Sequence, residues 1–115
     1  MKLVAFILLI IFSSQSLADC TPPGKIERLW PREKGHIHIQ MSGIENMDIS
    51  NCGNGGATGL LLNFNDTGGT KEGKQMLLSS LLAAFTAGKT LQLCSYGCDS
   101  QYSDYSKLNA INRLE

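Results

Sequence analysis

Along the chain, the first feature in the pattern of apolar and polar side chains is a run of ten residues, Leu3 to Phe12, that carry no polar group. Lys2 precedes the run, and Ser16-Leu17-Ala18 follows it with small residues at the −3 and −1 positions of a cleavage site. A positive start, an apolar stretch and a small-residue end make the three-part layout of a secretory signal peptide. Ten residues are too few to cross a bilayer core, which takes about 20. Leu17-Ala18-Asp19-Cys20 departs from a lipoprotein signal at Asp19. The pattern predicts export, with cleavage after Ala18 and one domain over residues 19–115.

Beyond the leader a period of two dominates. Gly24 to Trp30 alternates, with Ile26, Arg28 and Trp30 on one side and Lys25, Glu27 and Leu29 on the other. Pro31 ends this run or places it at a sheet edge, and Arg32-Glu33-Lys34-Gly35 suits a hairpin loop. His36 to Ser42 is the cleanest strand. Ile37, Ile39 and Met41 predict a buried face; His36, His38, Gln40 and Ser42 predict a polar one. Gly43 to Gly59 reads as a long loop with Gly53, Gly55, Gly56 and Gly59 around Cys52. Loops of that length are usually functional or stapled. Leu60 to Asn65 predicts a third strand, and Asp66-Thr67-Gly68-Gly69 a turn.

The period then changes. Leu77, Leu81, Ala84 and Phe85, with Leu78 and Leu82 beside them, follow helical spacing over Thr70 to Ala87. Thr70 suits the N-cap and Gly88 the left-handed C-terminal position. The stripe is expected to pack on the core. Thr90 to Tyr96 predicts a fourth strand, with Leu91 and Leu93 inward and Cys94 opposite. Gly97 to Ser106 is a polar loop, and Lys107 to Leu114 a fifth strand.

Composition narrows the function classes. A chain of 115 residues, 43% hydrophobic and 17% charged, holds one globular domain. Without the leader it has nine Lys/Arg against ten Asp/Glu, a net charge of −1. That balance argues against a nucleic-acid partner, and the short leader against a membrane span. Cys20, Cys52, Cys94 and Cys98 are an even number in an exported chain, which reads as two disulfides. Three pairings are open at this point. Zinc sites use tight Cys pairs, whereas Cys20 and Cys52 stand alone, so neither metal nor cofactor is expected.

No catalytic set emerges. His36 and His38 share a strand face and would need a third ligand to hold a metal; otherwise they lie on a solvated face. There is no Gly-x-Ser-x-Gly elbow, and the glycines from Gly53 to Gly59 lack the Lys-Ser/Thr of a phosphate loop. Glu27, Glu33, Glu45, Asp48, Asp66 and Asp104 are scattered and expected to be solvated. What remains is recognition. Trp30, His36, His38 and Gln40 mark one side of the first hairpin, and Tyr96, Tyr102 and Tyr105 mark the loop between the last two strands. Aromatic rings with polar neighbours suit a glycan or a protein patch, although a strand Trp also suits a core.

The order of three strands, helix and two strands, β-β-β-α-β-β, matches the OB-fold, a five-stranded Greek-key barrel. Gly24-Lys25-Ile26 with Trp30, Gly35-His36-Ile37-His38-Ile39, Asn51-Cys52, the stretch Leu81 to Lys89, and Gly97-Cys98 together resemble a family of small exported bacterial proteins. Those proteins are similar to the receptor-binding B subunits of subtilase-cytotoxin and pertussis-like toxins. The resemblance covers about residues 24–114. It implies a mainly β OB-fold, sugar-binding relatives and a homo-pentamer. The serine-centred glycan site of the toxin subunits has no matching residue in this chain. In such a fold the chain start and the loops after strands two and four share one end. This favours Cys52–Cys98 and Cys20–Cys94, with Cys20–Cys52 plus Cys94–Cys98 as the alternative. The expectation is a secreted or periplasmic, non-enzymatic binding module for a glycan or protein partner. The alternatives are a small periplasmic metal-binding protein using His36 and His38, or a secreted inhibitor or hydrolase.

Overall fold

The computed structural model describes residues 19–53 and 58–113. The predicted leader with its cleavage site, Gly55, Gly56 and the end of the predicted fifth strand at Leu114 lie outside the described residues. The elements are β1 (Asp19–Cys20), β2 (Ile26–Arg32), β3 (His36–Met41), β4 (Leu60–Asn63), α1 (Lys71–Ala87), β5 (Leu91–Ser95) and β6 (Ala110–Arg113). They form two antiparallel three-stranded sheets, in the orders β2-β3-β4 and β1-β5-β6. The chain is thus mainly β with one helix among the described residues. Six strands stand where five were expected, because the short β1 precedes the others. Two residues are too short to leave a period in the sequence.

β2 and β3 form a hairpin whose turn closes at Gly35, with φ 100°, a conformation glycine adopts without a Cβ penalty. Pro31 does not end β2. It sits within the strand opposite Ile37, and β2 is an edge of its sheet, where a missing N–H costs least. A register shift between Ile26 and Arg28 corrects the predicted alternation. Ile26 is buried and Leu29 packs against the core, leaving Arg28 and Trp30 on the outer face. On β3 the alternation is as the pattern reads: Ile37, Ile39 and Met41 are buried in the core.

That core is completed by Met47, Leu60, Leu62, Leu91, Leu93 and Leu108. Each such side chain contributes about 1.5–3 kcal/mol when fully buried. α1 covers it with Leu81 and Ala84, flanked by Leu77 and Leu78. The buried stripe is narrower than the spacing suggests, because Leu82 and Phe85 are exposed. The helix ends follow the sequence signals. The Thr70 hydroxyl accepts from the Gly73 amide at 3.0 Å, and Gly88 is left-handed at φ 64°.

The two sheets meet at two joints. Gly24 and Leu91 exchange hydrogen bonds of 3.0 and 2.9 Å. At the other side Leu61 pairs in parallel with Lys107: the Leu61 amide donates to the Ser106 carbonyl at 3.0 Å, and the Leu108 amide to the Leu61 carbonyl at 2.7 Å. The predicted fifth strand therefore splits. Residues 106–108 join β4, and the β5 ladder starts only at Ala110. These joints are isolated bridges rather than continuous ladders, so the sheets do not close into one ladder.

Disulfides link Cys20 to Cys94 and Cys52 to Cys98. The first joins register partners on β1 and β5, which buries Cys94 despite its predicted outward side. Among the described residues no helix is long and apolar enough to cross a membrane. The two disulfides are consistent with a secreted or periplasmic protein.

Candidate recognition cleft

The outer face of the β2-β3-β4 sheet carries the site. Register places Trp30 across from His38 and Arg32 across from His36. On the other side of β3, Leu61 faces His38 and Asn63 faces His36. Because side chains alternate along each strand, one stripe of this face reads Trp30, His38, Leu61 and the next reads Arg32, His36, Asn63. The hairpin turn and a two-residue period suffice to assemble it.

The opposing wall comes from the segment between β5 and β6, which lacks any period and is shaped by side chain–backbone bonds. One carboxylate oxygen of Asp99, Oδ2, accepts from the amides of Gln101 and Tyr102 at 3.0 and 2.8 Å and from Asn63 Nδ2 at 3.0 Å. The Tyr105 amide donates to the Tyr102 carbonyl at 3.0 Å, and the Asp99 amide to the Tyr105 carbonyl at 2.9 Å. The Cys52–Cys98 disulfide ties this segment to the loop before β4. There Asp48 accepts from the amides of Cys52 and Gly53 and from the Ser106 hydroxyl, at 2.7, 2.9 and 2.9 Å. Burial raises the pKa of Asp48, but these three hydrogen bonds outweigh it and leave the group below its ordinary value. Asp48 is therefore bonded into the scaffold, not solvated as its scatter in sequence suggested.

Asp66 is a second such correction. It is buried and accepts from the Ser100 amide at 2.7 Å and the Gly68 amide at 3.0 Å, and it pairs with Lys107 at 3.3 Å. Burial again pushes its pKa up. The Ser100 hydroxyl and amide, the Gly68 amide and Lys107 prevail and bring it down to about 2.

Between the sheet face and this segment lies a cleft of about 410 Å³, lined by Trp30, Arg32, His36, His38, Thr58, Leu61, Tyr102 and Tyr105. Trp30 and His38 stack with ring centroids 4.9 Å apart and planes 15° from parallel. Tyr105 meets His38 edge-on at 5.7 Å, and Tyr102 meets His36 at 4.8 Å with a 53° tilt. The Arg28 guanidinium carbon lies 5.4 Å from the Trp30 ring centroid. Such ring pairs add about 0.5–1.5 kcal/mol beyond burial, so the walls hold each other in place.

His38 is buried, not solvated as a polar strand face would be, because Trp30 and Tyr105 cover it. Desolvation lowers its pKa, and the nearby charges of Arg32 and His36 lower it further. Its Nε2 lies 3.3 Å from the Thr58 hydroxyl. The Nδ1 atoms of both His36 and His38 are buried without a hydrogen-bond partner.

Of the residues singled out from sequence, Trp30, His36, His38, Tyr102 and Tyr105 converge here. Gln40 does not: it lies in an adjacent depression with Glu27 and Glu45. Tyr96 stands apart, 61% exposed at the end of β5. Thr58 and Leu61 were not singled out, and Arg32, expected in the hairpin loop, is the last residue of β2. Chemically the cleft offers ring faces and edges, two imidazoles and one guanidinium. Ser106 donates to Asp48 but is wholly buried, so it is not exposed to a substrate. Among the described residues, no group of three or more His, Cys, Asp or Glu is placed to hold a metal ion. The chain matches no family model, no curated protein and no solved structure.

Proposed function

We propose that this chain is an exported, non-enzymatic binding module of OB-fold type that takes a glycan in the Trp30–His38–Tyr105 cleft. The observation that carries the reading is the convergence of three aromatic rings, two imidazoles and Arg32 from three chain segments on one open cleft. Rings offer flat apolar surface to the C–H faces of a sugar. Imidazole, phenol and guanidinium groups offer hydrogen bonds to its hydroxyls. The two joints support the OB-type reading: Leu61–Lys107 links β4 to the segment just before β6, and Gly24–Leu91 links β5 to the segment just before β2. In OB-folds the face near strands two and three is the usual binding surface, which here corresponds to the face that carries His36, His38 and Leu61. The two disulfides support export.

A glycan array probed with the oxidised protein tests this, followed by titration of each hit against the fluorescence of Trp30, the single tryptophan. Binding that is weakened about tenfold or more by Tyr105→Ala, while Tyr96→Ala binds normally, is the expected result. Silence on the array, with capture of a protein partner that Tyr105→Ala does not disturb, would overturn it.

A further inference from the structure

We propose that a second pocket, between the start of α1 and the segment after β5, binds a small zwitterion: a free α-amino acid with an apolar side chain, held between Lys74 and Asp99. The pocket measures about 350 Å³ and shares only Leu61 with the cleft. That size lies in the roughly 300–1,000 Å³ range of small-molecule sites.

The argument rests on which charges in this pocket are already answered. Four ionisable side chains line it: Asp66, Asp99, Lys74 and Lys107. Lys107 and Asp66 pair with each other at 3.3 Å. The Lys74 ammonium donates only to the Asp66 backbone carbonyl, at 2.6 Å, and has no carboxylate partner among the described residues. Asp99 is 1% exposed. Its Oδ2 takes three donors, none of them charged, whereas its Oδ1 is buried with no hydrogen-bond partner. One cation and one anion lining the same pocket therefore lack ionic partners among the described residues.

An unsatisfied buried acceptor is costly, more so when charged, and native proteins rarely keep one without reason. A ligand carrying one ammonium and one carboxylate answers both groups and leaves the net charge of the pocket unchanged. Its ammonium donates to Asp99 Oδ1 and its carboxylate accepts from Lys74. The remaining wall is apolar, with Leu62, Leu77, Leu108 and Ile111, and suits an aliphatic side chain. A lone amine or a lone carboxylate would leave one of the two protein charges unpaired.

The test follows backbone amide resonances of the oxidised, isotope-labelled protein during titration with leucine, leucinamide, which lacks the carboxylate, and 4-methylpentanoate, which lacks the ammonium. Leucine is expected to give saturable shifts at Gly68, Gly73, Lys74 and Asp99. Each analogue should bind at least about tenfold more weakly, the worth of one charge-assisted hydrogen bond. Lys74→Met should weaken leucine to the level of the amide. Asp99→Asn is the obvious partner variant, but Asp99 also organises the Tyr102 segment, so Lys74→Met keeps the test intact if that variant does not fold. Equal binding of leucine and either analogue, shifts confined to Trp30 and His38, or no saturable shift at millimolar leucine would overturn the proposal.

Discussion

Asp66→Asn isolates one carboxylate at the turn between β4 and α1. In the folded chain this group is held at about 2, against an ordinary 3.8. A depression of roughly two units corresponds to about 2.5 kcal/mol in favour of the folded state when the group is ionised. The side chain is only 4% exposed, so solvent screening removes little of that. Asparagine keeps one acceptor oxygen, but its NH2 turns a donor toward a site that now offers donors from Gly68, Ser100 and Lys107. The expected loss at neutral pH is about 2–3 kcal/mol, or roughly 8–24 °C in Tm for a domain of this size. The sign with pH is fixed by the direction of the shift. The contribution is complete above 3.8, where Asp66 is charged in both states, and disappears as pH falls through about 2. Urea unfolding of both proteins with disulfides intact, followed by circular dichroism at neutral pH and stepwise into acid, measures the gap. Coincident midpoints at neutral pH would refute the reasoning, as would a gap that persists undiminished below pH 2.

The other predictions concern the cleft. Since His38 stacks on Trp30 and its pKa is lowered by burial, then by Arg32 and His36, acidification should quench Trp30 with a midpoint below 6.5. His38→Gln should abolish that transition, and a wild-type midpoint at or above 6.5 would contradict the burial. The same shift makes stability fall with pH from 6.5 down through the folded value, because the unfolded chain takes up the proton first. At Gly59 an added Cβ would lie 2.6 Å from both His38 Nε2 and the Ile39 carbonyl. Gly59→Ala should therefore cost about 1–3 kcal/mol and shift the His38 ring resonances. Gly97→Ala, where a Cβ meets nothing within 4 Å, should leave both measurements unchanged.

Local rules made much of this molecule readable. The Thr70 cap, the Gly88 stop and the alternation of β3 depend on residues next to one another in sequence. The β3 pattern alone put His36 and His38 on one face, and the hairpin set Trp30 beside them. The bulge between Ile26 and Arg28 was hidden because a one-residue irregularity leaves two short runs, each of which still alternates. Leu82 and Phe85 matched the helical period yet stayed exposed, since only Leu77, Leu78, Leu81 and Ala84 of that stripe pack on the core. The segment from Gly97 to Asn109 was least readable. Its shape comes from Asp66 and Asp99 accepting from backbone amides and from Asn63 donating to the Asp99 and Gln101 side chains, which requires knowing what lies across from it in space. For the same reason Asp48 and Asp66 looked like solvated turn residues.

The cysteine connectivity is interleaved along the chain: Cys20 waits 74 residues for Cys94, and Cys52 waits 46 for Cys98. Both closing partners lie near the C-terminal end. A chain delivered N-terminus first into an oxidising compartment presents Cys20 and Cys52 together long before either native partner emerges. The bond that early oxidation would make is thus one the native fold does not contain. Native pairing then requires that oxidation lag behind delivery, or that a thiolate reopen the early bond through exchange. For a chain exported as proposed above, the interleaving ties the yield of native protein to the speed of translocation relative to thiol oxidation.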